Sequence, residues 1–145
     1  MWKEVDVLGG QIDVQTKAQI DSLLRDPRAK VAIPLSSQSV FSGKIARFDI
    51  GIKNIGDTDA QFKITTSFSK AFSADGKEEL QLNFNPESWT GNLKELELEI
   101  PAKQNRETFV LIKPDTQQQG VYTFKVTVNK ESDIYGTYSI NVVVK

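Results

Sequence analysis

From about residue 30 to the end of the chain, apolar and polar residues alternate with a period of two. The clearest stretches span residues 48–52, 62–68, 80–84, 96–100, 122–128 and 138–144. Successive side chains of a β-strand point to opposite faces of the sheet, so this period is typical of strands with one buried face. The first prediction from the sequence is therefore a fold made mainly of strands.

Turn-forming residues separate these stretches, notably at 54–57, 74–76 and 117–120. Many short strands without a helical period between them favour a sandwich or a barrel over a βαβ fold. Their unequal spacing suits the crossing connections of a sandwich. Residues 108–112 are apolar at successive positions, so we expect this strand to be central or covered on both faces.

The length of 145 residues is typical of one domain. We assign residues 30–145 to this domain and residues 1–29, which lack the alternation, to an N-terminal helical and linker segment. No stretch approaches the ~20 apolar residues of a membrane-spanning helix, and the chain does not begin with a signal peptide. Any membrane attachment is expected to come from an anchor outside this sequence.

Residues 14–25 are good helix formers without proline or glycine, and Pro27 ends the helix that they predict. Ile20, Leu23 and Leu24 form a short apolar stripe along it. Two interpretations stay open. The helix either packs on one end of the sandwich, or it serves as a stalk or docking segment that follows a membrane anchor.

The chain contains no cysteine and no histidine. This composition excludes disulfides, thiolate catalysis, Cys/His zinc sites and a Ser-His-Asp triad. The formal net charge is −1, and the basic residues are dispersed among acidic ones, so there is no basic surface of the kind that binds nucleic acid. We predict that the protein is not an enzyme, needs no cofactor and binds no nucleic acid.

Three stretches resemble a known family. Residues 45–60 resemble the second strand and Asn-x-Gly-Asp turn of the immunoglobulin-like modules called CARDB and NEW domains. Residues 100–103 resemble their apolar-Pro-Ala-Gly turn, with Lys103 in place of the glycine, and residues 120–126 resemble their Gly-x-Tyr ending. The resemblance covers residues 30–145 and implies an immunoglobulin-like antiparallel β-sandwich of seven or eight strands behind a short N-terminal helix.

The residues that carry this resemblance are expected to build the fold. Gly56 and Gly120 would supply a positive φ or a tight entry into a strand. Tyr122 would bury its ring and form a hydrogen bond through its hydroxyl near a strand corner. A weaker likeness, in layout and size alone, is to the soluble domains of archaellum stator proteins, which face the cell envelope.

Several aromatic residues fall outside the alternating stretches and are candidates for contact with a partner or ligand: Trp89, Phe72, Phe41 and Tyr135, with Trp2 near the N-terminus. If several of them cluster, they would form an exposed apolar patch of the kind that marks a binding site. Trp89 lies in a loop-like stretch, where it either closes the sandwich or stacks on a sugar.

Two acidic loops are candidates for calcium binding, because Ca²⁺ prefers carboxylate oxygens. Asp57 and Asp59 lie in one loop, and Asp75 and Glu78 lie in the other. Neither has the spacing of a known calcium loop, so ordinary turn chemistry explains both, and we predict no metal site.

Glu95, Glu97 and Glu99 are candidates for acid–base catalysis only if they face one another in a cleft. Their alternation with apolar residues instead places all three on the solvent face of one strand, where they would discourage aggregation at a sheet edge. A hydrolase that uses two carboxylates is accordingly the weakest of the functional hypotheses.

We predict a non-enzymatic interaction or structural module of an archaeal or bacterial cell envelope. Its partner would be another envelope or surface protein, or a second copy of itself. The expected location is extracellular or at the cell surface, in the pseudoperiplasmic space, with an anchor in the full-length protein. The alternative is a carbohydrate-binding or accessory module of a secreted hydrolase, which requires an exposed Trp89.

Overall fold

The computed structural model describes residues 13–93 and 95–145, with residues 92 and 93 described by their backbone alone. Trp2 and the beginning of the 1–29 segment lie outside the described residues. Within them, the chain forms one α-helix, a 3-10 helical segment that is kinked at Gly91, and eight strands. In chain order these are α1 (Val14–Leu23), β1 (Val31–Ala32), β2 (Ser37–Val40), β3 (Ala46–Lys53), β4 (Ala60–Phe72), the 3-10 helix (Pro86–Leu93), β5 (Glu95–Ile100), β6 (Asn105–Ile112), β7 (Gly120–Lys130) and β8 (Asp133–Val144).

The strands form two sheets. The smaller has the order β1-β3-β6, and the larger has the order β2-β8-β7-β4-β5. Inward-facing side chains of both sheets form one core, because the alternate residues of each strand are buried as the period of two predicts. The largest fully buried side chains include Tyr122, Phe48, Phe62 and Phe124.

The chain changes sheets between β1 and β2. β1 pairs antiparallel with β3, whereas β2 pairs parallel with β8, with Ser37 opposite Asn141 and Val40 opposite Val144. Pro34 lies in this connection. Proline has no backbone N–H to donate to a neighbouring strand, so it is well placed where the chain leaves one sheet. All other strand pairs are antiparallel, so this pair is the one departure from the predicted antiparallel sandwich among the described strands.

The alternating stretch 80–84 does not form a strand, which corrects the prediction made from its period. β5 pairs with β4 only over residues 60–65 of β4, and the chain leading to β5 crosses beside the rest of β4. The Leu80 N–H donates to the Ala71 carbonyl at 2.8 Å, and Leu82 and Phe84 pack half-buried against the core. The stretch has the burial of a strand but lacks a continuous partner.

The apolar stretch 108–112 lies in β6. Val110, Leu111 and Ile112 are all buried, so this part of the strand is covered on both faces as expected. It is not central, however, because β6 is an edge strand of the smaller sheet. The 3-10 helix packs beside it, and the Lys113 N–H donates to the Trp89 carbonyl at 3.0 Å.

Helix α1 packs on the outer face of the smaller sheet. The Asp13 carboxylate caps its first turn by accepting from the Thr16 N–H at 2.8 Å. Ile20 and Leu24 are buried there, but Leu23, predicted to share their stripe, is 53% exposed because it lies on another face of the helix. Ile20 packs so closely over Gly51 that a Cβ at Gly51 would collide with it.

Tyr122 forms the predicted corner at the start of β7. Its ring is fully buried, and its hydroxyl donates to the Gln118 carbonyl at 2.8 Å. Burial raises the pKa of this hydroxyl above its usual value, since the charged form would lose its hydration. Gly120 gives a tight entry into the same strand, because a Cβ there would lie 2.6 Å from the Phe72 carbonyl oxygen.

The turn between β5 and β6 explains the family's preference for glycine at the position of Lys103. Lys103 has a φ of 62°, in the left-handed region that costs most residues energy. Neither Gly56 nor Gly120 has a positive φ. The Phe72 backbone carbonyl explains the need for glycine at position 120, whereas a Cβ at position 56 would meet the end of the flexible Lys130 side chain, which can move aside.

We expect Lys103→Gly to be more stable than Lys103→Ala, with a free energy of unfolding about 1 kcal/mol higher, because only glycine adopts this φ without strain. Alanine is the matched control because both variants lose the bonds of the Lys103 ammonium to the Ile55 carbonyl and Asp57. Urea denaturation monitored by circular dichroism measures the difference. Equal stability of the two variants would contradict the strain.

Candidate binding surface

The larger sheet has two free edges among the described strands, and they differ in their protection. One edge is β5, where Glu95, Glu97 and Glu99 are exposed as predicted from their alternation. The Glu95 carboxylate also pairs with the Lys63 ammonium of β4 at 2.8 Å. Charged side chains of this kind discourage another strand from adding to an edge.

The opposite edge is β2, which carries no charge. We call residues 35–41 the β2 edge. The Ser36 carbonyl accepts from the Asn141 N–H at 2.8 Å, and the Val40 carbonyl accepts from the Lys145 N–H at 3.0 Å, so the even-numbered residues face β8. The backbone groups of Ser37 and Ser39 consequently face away from β8, on the side where no described strand pairs.

The side chains of the β2 edge also point in different directions at even-numbered and odd-numbered positions. Val40 packs against the core, and the Gln38 amide donates to the Arg47 carbonyl of the smaller sheet, so these two side chains point inward. Leu35 and Phe41 point outward and are 64% and 60% exposed. Two large apolar side chains thus lie at the two ends of a short, unpaired and uncharged edge.

Trp89 was a candidate for ligand contact, but the structure places it in the core, where it is 6% exposed. Its indole ring lies 4.9 Å from the Tyr122 ring and stacks with the Phe84 ring at 6.0 Å. The 3-10 helix holds it over the open end of the sandwich. Trp89 therefore closes the core and offers no face to a sugar, which removes the main support for the carbohydrate-binding alternative.

The other three aromatic candidates do not gather into one patch. Phe41 and Phe72 lie at the same end of the larger sheet, but β8 and β7 separate their strands. Tyr135 lies towards the opposite end, half-buried, where its hydroxyl donates to the Lys53 carbonyl at 2.6 Å and its ring packs edge-on against Phe62. Of the four, Phe41 is the exposed one, and its ring lies 4.8 Å from the Lys145 ammonium.

A groove of about 270 Å³ lies beside the outer part of β4, where β5 no longer covers that strand. Leu80, Leu82 and Phe84 form much of its wall. Lys70 and Glu79 are the ionisable residues of its lining. This groove does not bring together the two carboxylates that the hydrolase hypothesis requires.

The acidic loops have local bonding partners. Asp57 pairs with the Lys103 ammonium at 3.1 Å, and Asp59 accepts from the Ala102 N–H at 2.9 Å. The Ser73 hydroxyl donates to Asp75, and this bond, with a smaller effect from the Lys77 N–H at 3.0 Å, lowers the pKa of Asp75. Within residues 13–93 and 95–145, no group of three or more acidic side chains has the geometry to hold a metal ion.

The two sheets define an immunoglobulin-like β-sandwich, in which β5 pairs with β4 in the larger sheet. This confirms the fold class predicted from the sequence. The CARDB domain of a Pyrococcus furiosus protein, solved with di-metal ions, is similar: it is 14% identical, with 80% of this chain and 84% of that chain covered and a TM-score of 0.48.

Two further solved structures are similar. The PapD-like domain 7 of human CEP192 is 11% identical over 83% of this chain and 87% of its own, with a TM-score of 0.49. Self-complemented MyfA, the major subunit of Yersinia enterocolitica Myf fimbriae, solved with galactose, is 20% identical over 81% and 99%, with a TM-score of 0.44. No family model and no curated protein matches the chain.

Phe41 is the one residue of the β2 edge that was a candidate from the sequence, as an aromatic residue outside the alternating stretches; the other residues of the edge were missed. A signal was nevertheless present, because residues 31–43 contain no charged side chain in a protein that is 26% charged. Among the described helices, none is long and apolar enough to cross a membrane.

Proposed function

We propose that this domain is a non-enzymatic cell-surface module that binds another surface protein, or a second copy of itself, by adding a strand to its β2 edge. The observation that carries the proposal is the contrast between the two edges of the larger sheet. β5 is protected by three glutamates, whereas the β2 edge exposes backbone groups between Leu35 and Phe41 that pair with no other described strand.

Strand addition suits this surface for a physical reason. A partner strand would satisfy the outward backbone groups of Ser37 and Ser39, and main-chain hydrogen bonds of this type supply affinity without a deep pocket. Leu35 and Phe41 would then lose their contact with water, which favours association in proportion to the apolar area that is buried.

The proposed location rests on the sequence. The turns at 54–57 and 100–103 and the Gly-x-Tyr stretch at 120–126 resemble those of CARDB and NEW modules, which are common in secreted archaeal and bacterial proteins. We accordingly place the domain outside the cytoplasmic membrane, with a partner that is a protein of the same envelope.

Site-specific photo-crosslinking in native cells tests this function. We expect a photo-reactive residue at position 39 of the full-length protein to give a crosslinked product, because Ser39 lies on the free edge of β2. The same residue at position 97, on the protected β5 edge, is the matched control and should give none.

Two results would count against the proposal. One is equal crosslinking from positions 39 and 97, which would show that the β2 edge has no special role. The other is recovery of the full-length protein in the cytosolic fraction, protected from protease added to intact cells, which would exclude a cell-surface location.

A further inference from the structure

We infer that the partner of the β2 edge is the β2 edge of a second copy, paired antiparallel about a twofold axis at Gln38. This inference rests on the proposed use of the β2 edge and specifies its partner. The edge is symmetric about Gln38, since Ser37 and Ser39 flank it and Leu35 and Phe41 lie three residues away on either side. A strand of the same sequence, run in the opposite direction, repeats this pattern.

The backbone fits this register. In an antiparallel pair, two residues directly opposite each other exchange both hydrogen bonds when their N–H and C=O groups face the partner strand. A twofold axis at Gln38 places Ser37 of one copy opposite Ser39 of the other, and both residues have backbone groups that face outward from β8. The two symmetry-related Ser37–Ser39 pairs would form four hydrogen bonds.

The side chains fit the same register. Leu35 of one copy lies opposite Phe41 of the second, and both side chains project from the outer face of the sheet, where they are now exposed. Apolar cross-strand pairs of this kind stabilise sheets. The pairing occurs twice because the axis is twofold, so both exposed apolar residues of each copy become covered.

Charge does not oppose this contact. Residues 31–43 carry no charged side chain, and the Lys145 ammonium lies 4.8 Å from the Phe41 ring. The twofold axis places the two Phe41 residues at opposite ends of the paired strands, about 20 Å apart at the rise of a β-strand. At that separation the two Lys145 ammonium groups are largely screened from each other in physiological salt.

The symmetry also favours a second copy over a different protein. A twofold contact uses the same surface on both partners and closes, whereas pairing of β2 with β5 would leave free edges at both ends and build an open fibre. The three glutamates of β5 disfavour that second arrangement. Because the paired strand is short, we expect a weak dimer, with a Kd between about 10 μM and 1 mM.

Sedimentation equilibrium of the purified 145-residue chain, from about 10 μM to about 1 mM, tests the dimer. We expect the mass to rise from 16.2 kDa towards twice that value. Ser39→Pro should remain monomeric throughout, because proline removes an N–H that faces the second copy. Glu97→Pro is the matched control: it removes an outward N–H from the other free edge and should dimerise like the unchanged protein.

The register has its own readout, because the chain contains no cysteine. Ser37→Cys and Ser39→Cys proteins, mixed under oxidising conditions, should form the mixed disulfide, since opposite Cα atoms about 5.5 Å apart allow one. Each variant alone should form much less. Dominant formation of 37–37 or 39–39 disulfides would overturn the twofold axis at Gln38.

A monomer at every concentration, or equal loss of dimer in Ser39→Pro and Glu97→Pro, would overturn the self-pairing. The proposed function would still stand in that case if position 39 crosslinks to a different protein in cells. Conversely, a dimer in solution together with a cytosolic location would retain the self-pairing and exclude the cell-surface function.

Discussion

Replacing Trp89 with alanine is expected to lower the free energy of unfolding by about 3–5 kcal/mol, the range for large aromatic side chains removed from a core. Trp89 is 6% exposed and contacts the rings of Tyr122, Phe84 and Phe124. Its removal would leave a cavity where the 3-10 helix closes the sandwich. Because domains of this size are stable by only about 5–15 kcal/mol, the loss should be large in a urea titration.

Phe41→Ala is the matched control, because Phe41 is an aromatic residue that is 60% exposed. Removing it should change the stability of the monomer by no more than about 0.5 kcal/mol. A Trp89→Ala protein as stable as the unchanged one would show that the indole is not part of the core, and would restore the sugar-stacking interpretation. We expect Trp89→Ala to lose stability, and we expect the tryptophan fluorescence of the unchanged protein not to respond to polysaccharide.

The strands were predictable because they depend on local pattern. A strand with one buried face must alternate apolar and polar residues, so β3, β4, β5, β7 and the second half of β8 are evident in the sequence. The role of Tyr122 was implied by the family resemblance of residues 120–126, and a residue with an apolar ring and a polar hydroxyl suits such a corner.

Strand partners were less predictable because they depend on residues far apart in the chain. The stretch 80–84 alternates like a strand, yet the position of β5 on β4 denies it a partner. β2 has the opposite character: it barely alternates, but the end of β8 supplies a parallel partner. A period reports which side chains are buried, whereas pairing is decided by how the chain crosses between the sheets.

The candidate site shows the same limit. Aromatic residues outside strands were reasonable candidates, but sequence position does not determine whether such a ring is buried, and Trp89 proved to be a core residue. The edge of a sheet is a property of the strand order, so neither Ser37 nor Ser39 could be placed there from the sequence. The uncharged run 31–43 becomes informative only once β2 is known to be an edge strand.

Asn54→Asp is expected to destabilise the protein by at least about 3 kcal/mol at pH 7, although the two side chains have nearly the same shape. Asn54 is fully buried in the turn between β3 and β4. Its amide nitrogen donates to the carbonyls of Thr58 and Ile100, each at 2.9 Å, and its oxygen accepts from the Gly56 N–H at 2.9 Å. One side chain thereby ties this turn to the end of β5.

The aspartate variant would still accept from the Gly56 N–H. Its second carboxylate oxygen, however, would replace the amide nitrogen and would face the carbonyl oxygens of Thr58 and Ile100. Desolvation and these two carbonyls would raise the pKa of the introduced carboxyl in the folded protein above its value of about 3.9 in the unfolded chain. The folded state then binds a proton that the unfolded state releases, so the loss of stability should grow as the pH rises from 4 to 7. Urea denaturation at both pH values measures this change.

Asn85→Asp makes the same chemical change at an exposed position, where the Asn85 side-chain oxygen accepts from the Glu87 N–H at 3.1 Å. A carboxylate retains that acceptor, so we expect a change of no more than about 0.5 kcal/mol. A small effect at Asn54 matching the one at Asn85 would mean that the buried amide does not hold the turn. A large, pH-dependent loss at Asn54 alone would establish that the Asn-x-Gly-Asp turn is maintained by two donated hydrogen bonds, which only an amide at this position can supply.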